Sequence, residues 1–175
     1  MILNERETRH EQIISVAKQM MTAARTAPKA RGVDLIETIA ITEEHIKQLS
    51  DAMLEILTDK GERRFERDGN NILQAECIVL IGTKPLKMAL DCGYCGYATC
   101  AEKKKEVPCT MNSIDVGIAI GSACATAADF RVDTRVMYSA GKIARQLGWL
   151  NECTSVIAIP ISASSKNPFF DRPQK

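Results

Sequence analysis

Apolar residues recur along this chain with two spacings, one helical and one strand-like, and the switches between them mark out its elements. Asn4, with Glu7 three residues later, forms a capping-box pair at the start of a helix running to about Arg25. Ile13, Ala17, Met20, Met21 and Ala24 fall on one face of that helix. Leu35 to Ile41 alternates as a strand does. Thr42 then caps a second amphipathic helix, with Glu43 and Glu44 in its first turn and Ile46, Leu49, Met53, Ile56 and Leu57 on one stripe. The charged stretch from Asp59 to Asn70 reads as a solvated loop or short helix. Glu76 to Ile81 reads as a central strand covered on both faces, because Cys77 to Ile81 are apolar without a break.

Beyond residue 110 the pattern returns to helices. Ser113 to Phe130 is dense in small residues, Gly117, Ala119, Gly121, Ala123, Ala125, Ala127 and Ala128 among them, and this predicts a buried central helix that a neighbour approaches closely. A helix with so little side-chain volume fills space by close packing against another helix. Val136, Ala140, Ile143, Ala144 and Leu147 mark a further helix stopped by Gly148, and Ser155 to Ile161 reads as a last strand before a polar tail with Phe169, Phe170 and Arg172. Strands separated by helices predict an α/β (α+β) architecture, a central sheet flanked by helices.

Composition narrows the function. The chain has 175 residues and 45% hydrophobic content, enough for one substantial core, and no linker or repeat divides it, so a single domain over 1–175 is expected. A net charge of +1 leaves no electrostatic footprint for nucleic acid. The longest apolar stretch, Val116 to Ala128, is bounded by Asp115 and Asp129 and is too short to span a bilayer. Met1 to Glu11 carries no secretory leader, which predicts a reducing, cytoplasmic setting where clustered cysteines mean metal or redox chemistry more often than disulfides.

Four of the seven cysteines, Cys92, Cys95, Cys100 and Cys109, lie within eighteen residues at the spacing C-x2-C-x4-C-x8-C. Gly93 and Gly96 let the backbone curl so that thiolates at i and i+3 converge. Tyr97 to Lys105 reads as a short helix carrying Cys100, and Pro108 redirects the chain so that Cys109 returns to the same place. Four sulfurs suit a 4Fe-4S cluster; the alternatives are tetrahedral zinc or a redox-active Cys92/Cys95 pair. Cys77, Cys124 and Cys153 sit in apolar or terminal contexts and read as small core residues. His10 and His45 lie among charged neighbours, and no nucleophile elbow accompanies them.

Two family resemblances follow. The segment Cys92-Gly93-Tyr94-Cys95-Gly96-Tyr97-Ala98-Thr99-Cys100 resembles the C-G-x-C-G-x-x-x-C signature of 4Fe-4S proteins such as corrinoid iron-sulfur proteins. The chain as a whole resembles a small family of bacterial and archaeal ferredoxin-domain-containing proteins. Glu11 to Ile41, around Ala23-Ala24-Arg25-Thr26-Ala27-Pro28-Lys29-Ala30-Arg31, is similar to the helix and A-P-S-x-x-N turn of FMN-dependent nitroreductases. Asp115-Val116-Gly117-Ile118-Ala119 is similar to that fold's central dimer helix, and the resemblance implies a homodimer with Ser113 to Phe130 near its two-fold axis. Lys29 replaces the usual serine, and the R-x-S-x-R segment that holds the ribityl phosphate is reduced to Arg6 and Arg9.

What the resemblances imply is an electron-transfer or oxidoreductase role. A 4Fe-4S cluster on Cys92, Cys95, Cys100 and Cys109 exchanges electrons with a redox partner protein. FMN is a further implied cofactor, with Arg25, Pro28, Lys29, Arg31 and Arg172 at the places that contact it. Those cations around a proline turn form a site for a dianion that no nearby acid opposes. The other reading is cations placed at a helix C-terminus, which the helix dipole favours.

Overall fold

A computed structural model describes residues 1–60 and 63–170, with the backbone alone described for 57–60. Leu57 as a stripe residue and Arg172 as a cofactor contact therefore lie outside the described side chains. In chain order the elements are α1 (Glu5–Thr26), β1 (Ile36–Ile41), α2 (Glu43–Lys60), α3 (Arg63–Ile72), β2 (Cys77–Thr83), α4 (Thr110–Asp129), β3 (Asp133–Thr134), α5 (Tyr138–Gln146) and β4 (Ser155–Ser162). Short 3-10 turns lie at Ala30–Gly32 and Pro168–Phe170. The strands form one sheet in the order β1-β2-β4-β3, antiparallel at every pairing.

Strand alternation sends successive residues to opposite faces of the sheet and builds two cores. Cys77, Val79, Ile81, Ile159 and Ile161 pack with Ile13, Met20 and Ala24 of α1 and Ala119 and Ala123 of α4. Ile78, Leu80, Val156 and Ala158 pack with Leu49 and Met53 of α2, Phe65 and Ile72 of α3, and Ile143 of α5. Every residue of β2 is buried, as its unbroken apolar run requires for a strand with a helical layer on each side. The architecture is α+β, a four-stranded antiparallel sheet between helices.

Helix starts follow local chemistry. The Asn4 side chain accepts from the Arg6 N–H at 3.1 Å and so caps the helix at N2, while Glu7 meets the Asn4 Nδ2 at 3.1 Å in place of the backbone N–H that a capping box uses. At Gly148 the backbone is left-handed (φ 93°) just past α5, which is where a glycine ends a helix at least cost.

Three expectations need correction, and one short strand was not expected. The stretch read as solvated contains α3, whose Phe65, Asp68, Asn71 and Ile72 are buried; Asp68 is accommodated because Ser139, Arg67 and Arg135 all meet its carboxylate. The helix expected over Tyr97 to Lys105 is absent: that stretch consists of turns, and the helix beyond it starts earlier than expected, at Thr110. The two-residue strand β3 is too short to carry any periodicity. The small-residue helix α4 is buried on one face only, leaving Ile114, Gly117, Ile118, Gly121, Ala125 and Ala128 exposed.

Candidate metal centre

Between the end of β2 at Thr83 and the start of α4 at Thr110 the chain makes neither helix nor strand, yet it is pinned along its length. Asn112 of α4 donates Nδ2 to the Lys84 and Leu86 carbonyls at 3.4 and 3.0 Å. Arg31 donates to the Met88 carbonyl at 2.7 Å, and Lys87 to the Ala101 carbonyl at 2.9 Å. Lys103, only 7% exposed, donates Nζ to the Val107 carbonyl at 2.5 Å and the Lys104 carbonyl at 3.2 Å, so a buried cation ties the last turn together.

Within this loop the backbone is left-handed at Ala89, Asp91, Gly93 and Gly96 (φ 51°, 46°, 73° and 87°). Left-handed residues recurring this closely bend the loop back on itself, which is where glycine's freedom at Gly93 and Gly96 is needed. Gly96 N–H donates to the Gly93 carbonyl at 2.9 Å and closes the turn around Cys95. Asp91 accepts from the Cys100 N–H at 2.6 Å, fixing the third cysteine relative to the first.

All four loop thiols line one pocket, walled by Met88, Leu90, Tyr97 and Met111. Cys92 is exposed at its mouth; Cys95, Cys100 and Cys109 are half-buried. Cys109 is also the N-cap residue of α4, where the helix dipole favours negative charge. Among the described residues no three His, Cys, Asp or Glu side chains stand close enough to hold a single metal ion. The donor set nonetheless fits a cluster in number and type, because a cubane takes each thiolate on a different iron and so accepts wider sulfur spacing than one zinc ion.

The remaining cysteines differ in kind. Burial pushes the Cys77 thiol up to about 12 and the Cys153 thiol to about 11, and also raises Cys124. They are core groups held as neutral thiols.

The turn after α1 presses against the cysteine loop. Arg25 donates to Asp34 at 2.6 Å and to the Ile36 carbonyl at 2.5 Å. Burial raises the Asp34 carboxyl, and the Arg25 hydrogen bond with the Ile36 N–H outweighs it, leaving Asp34 below its ordinary range. Lys29, its side chain 6% exposed, donates to the carbonyls of Ala24, Arg25 and Ala27 and so caps the C-terminus of α1. An acid does oppose these cations: Asp34 neutralises Arg25, nine residues away in sequence. Buried Asp115 accepts the Ala30 N–H at 3.0 Å, and Arg31 (φ 56°) reaches the cysteine loop. Pro28 is exposed at the head of the turn.

Elsewhere, Arg6, Arg9, Arg131, Ser164 and Ser165 line a surface cleft of about 510 Å³ at the start of α1. Glu5 lies there too and pairs with Arg9 at 2.6 Å. Arg131 and the two serines come from distant parts of the chain, and only their arrival beside Arg6 and Arg9 in three dimensions marks this place.

This layered arrangement is the nitroreductase fold. A nitroreductase from Bacteroides fragilis with bound FMN superposes with a TM-score of 0.61 at 10% identity, covering 92% of this chain and 82% of that one. A BluB-like flavoprotein from Clostridium difficile gives 0.58 at 18% identity, covering 92% and 84%. The chain belongs to the family described as uncharacterized proteins containing a ferredoxin domain, which matches at residues 105–172. A relative from Archaeoglobus fulgidus, itself described as an uncharacterized protein, is 35% identical over 185 residues and covers 100% of both chains. The family match includes Cys109; Cys92, Cys95 and Cys100 precede it.

Proposed function

We propose that Cys92, Cys95, Cys100 and Cys109 hold a 4Fe-4S cluster and that the protein passes single electrons to and from a redox partner. The observation that supports this is that all four loop cysteines line one pocket, in a loop bent by left-handed residues at Ala89, Asp91, Gly93 and Gly96. Such a cluster, when bound, supplies one-electron chemistry at a potential set by nearby hydrogen bonds, charge and exposure. The chain's own part is positional. Asp91 holds Cys100, Gly93 and Gly96 shape the turn that presents Cys92 and Cys95, Lys103 anchors the approach to Cys109, and α4 places its positive end at that thiol. Exposure of Cys92 leaves a short path to a docked partner. Protein made under iron-replete, anaerobic conditions is expected to contain about four irons and four sulfides per chain. Stoichiometric zinc without sulfide would overturn the reading in favour of a zinc-stabilised domain.

A second reading adds FMN and makes the protein an oxidoreductase. The cleft of Arg6, Arg9, Arg131, Ser164 and Ser165 supports it, since Arg6, Arg131 and the Ser165 hydroxyl beside the Arg9–Glu5 pair suit a ribityl phosphate, while the Ser164 hydroxyl donates to the Lys166 carbonyl. Arg25 and Lys29 are spent on Asp34 and on helix carbonyls, so they contribute less to this site than the turn's sequence implies. FMN, when bound, supplies exchange between one- and two-electron steps. Quenching of flavin fluorescence by wild-type protein, weakened by Arg131→Ala, is the expected result. Unquenched flavin at near-millimolar concentration leaves electron carriage without flavin.

A further inference from the structure

Cys109 and Lys103 line not only the thiol pocket but also a second cleft, of about 290 Å³, on the α4 side of the loop. Lys105 and Arg145 join Lys103 there, and Glu106 is the one acid among the lining residues. Asn112 supplies a second, independent sign of a ligand. It is 4% exposed, and its Nδ2 is committed to the Lys84 and Leu86 carbonyls, which fixes the orientation of the amide. Its Oδ1 is left buried without a hydrogen-bond partner among the described residues. Buried acceptors are rarely left so, because they forfeit the bonds they make to water. Lys103 spends two of its three donors on the Lys104 and Val107 carbonyls, leaving one N–H uncommitted among the described residues.

We propose that this cleft binds a small oxyanion that also carries a hydroxyl, as a phosphorylated or carboxylated polyol does. The oxyanion meets Lys105, Arg145 and the remaining Lys103 donor, and the hydroxyl donates to Asn112 Oδ1. Neutral polyols lack the charge that two exposed cations require, and simple anions lack the donor that Asn112 requires. The redox meaning of the site rests on the cluster reading, since a molecule held here lies against Cys109; the binding itself does not.

The test is calorimetric titration of the full chain, purified anaerobically, at fixed ionic strength. Glycerol phosphate, glycerate and propyl phosphate are the probes. Glycerol phosphate or glycerate is expected to bind at least about tenfold more tightly than propyl phosphate, which matches the phosphate in size and charge but has no hydroxyl. Whichever of the two binds more tightly identifies the oxyanion. The double variant Lys105→Gln, Arg145→Gln changes two exposed side chains and is expected to lose about tenfold or more in affinity. Lys47→Gln, on the exposed face of α2, is expected to bind as wild type does. Failure of both glycerol phosphate and glycerate to bind more tightly than propyl phosphate, full retention of binding in the double variant, or no binding of any probe at millimolar concentration would each overturn the proposal. Stoichiometric zinc without sulfide in the iron-replete anaerobic preparation, with probe binding retained, would sink the cluster reading and leave this one standing; iron and sulfide present with no probe bound would do the reverse.

Discussion

Burial sets Cys77 and Cys153 apart from the four loop cysteines, with half-buried Cys124 between the two groups. The loop thiols are reachable from solvent, whereas Cys77 and Cys153 are enclosed by β2, β4 and the cores around them. Alkylation of cluster-free native protein near pH 8, followed by mass spectrometry, is therefore expected to label Cys92 first and to leave Cys77 and Cys153 unmodified until the chain unfolds. The same burial has a pH consequence. The Cys77 thiol is raised from 9.0 to about 12, so between those values the unfolded chain ionises and the folded one does not. The unfolded state then holds fewer protons, and the stability present below pH 9 is lost as the pH climbs toward 12. A flat urea midpoint across that range in cluster-free protein would contradict the assignment. The cysteine spacing was legible in the sequence because ligand spacing is a local property. The partner of Arg25 was not, since Asp34 meets it only once the turn after α1 has folded back.

At the scale of elements, long amphipathic segments announced themselves and short or mixed ones did not. The unbroken apolar run of β2 identified a central strand, and the stripes of α1 and α2 identified their buried faces. The buried face of helix α3 hid behind its charge: Arg63, Arg64, Glu66 and Arg67 mask the spacing of Phe65 and Ile72, and the acceptance of Asp68 into the core depends on Ser139, seventy-one residues away. The two-residue strand β3 left no periodic trace. Contact between α5 and β4 depends on Gly141, where an added Cβ would stand 2.1 Å from the Val156 carbonyl oxygen. That obstacle is backbone on a central strand and has no room to give. Gly141→Ala is expected to lower stability by about 1–3 kcal/mol, read as a fall in the thermal midpoint by circular dichroism. Unchanged melting would mean the helix lies further from the sheet.

Across the whole molecule, the uncovered face of α4 is the feature left without a function inside one chain. Ile114 and Ile118 are each 40% exposed, and Gly117, Gly121, Ala125 and Ala128 flank them. A Cβ at Gly121 would meet nothing within 4 Å in the monomer, so Gly121→Leu is expected to leave the fold intact and to weaken self-association alone. Light scattering at micromolar concentration is expected to give a dimer mass for wild type and a shift toward monomer for the variant. A monomeric wild type would remove the homodimer from the account. No helix among the described residues is long and apolar enough to cross a membrane. The central claim is that the four loop thiols hold a tetranuclear cluster, and low-temperature electron paramagnetic resonance of the anaerobic, dithionite-reduced protein tests it most directly. The account predicts a half-integer spin signal integrating to about one spin per chain, lost in Cys92→Ser with Cys95→Ser. A zinc-containing protein silent before and after dithionite, or a signal that survives loss of those thiols, would contradict it.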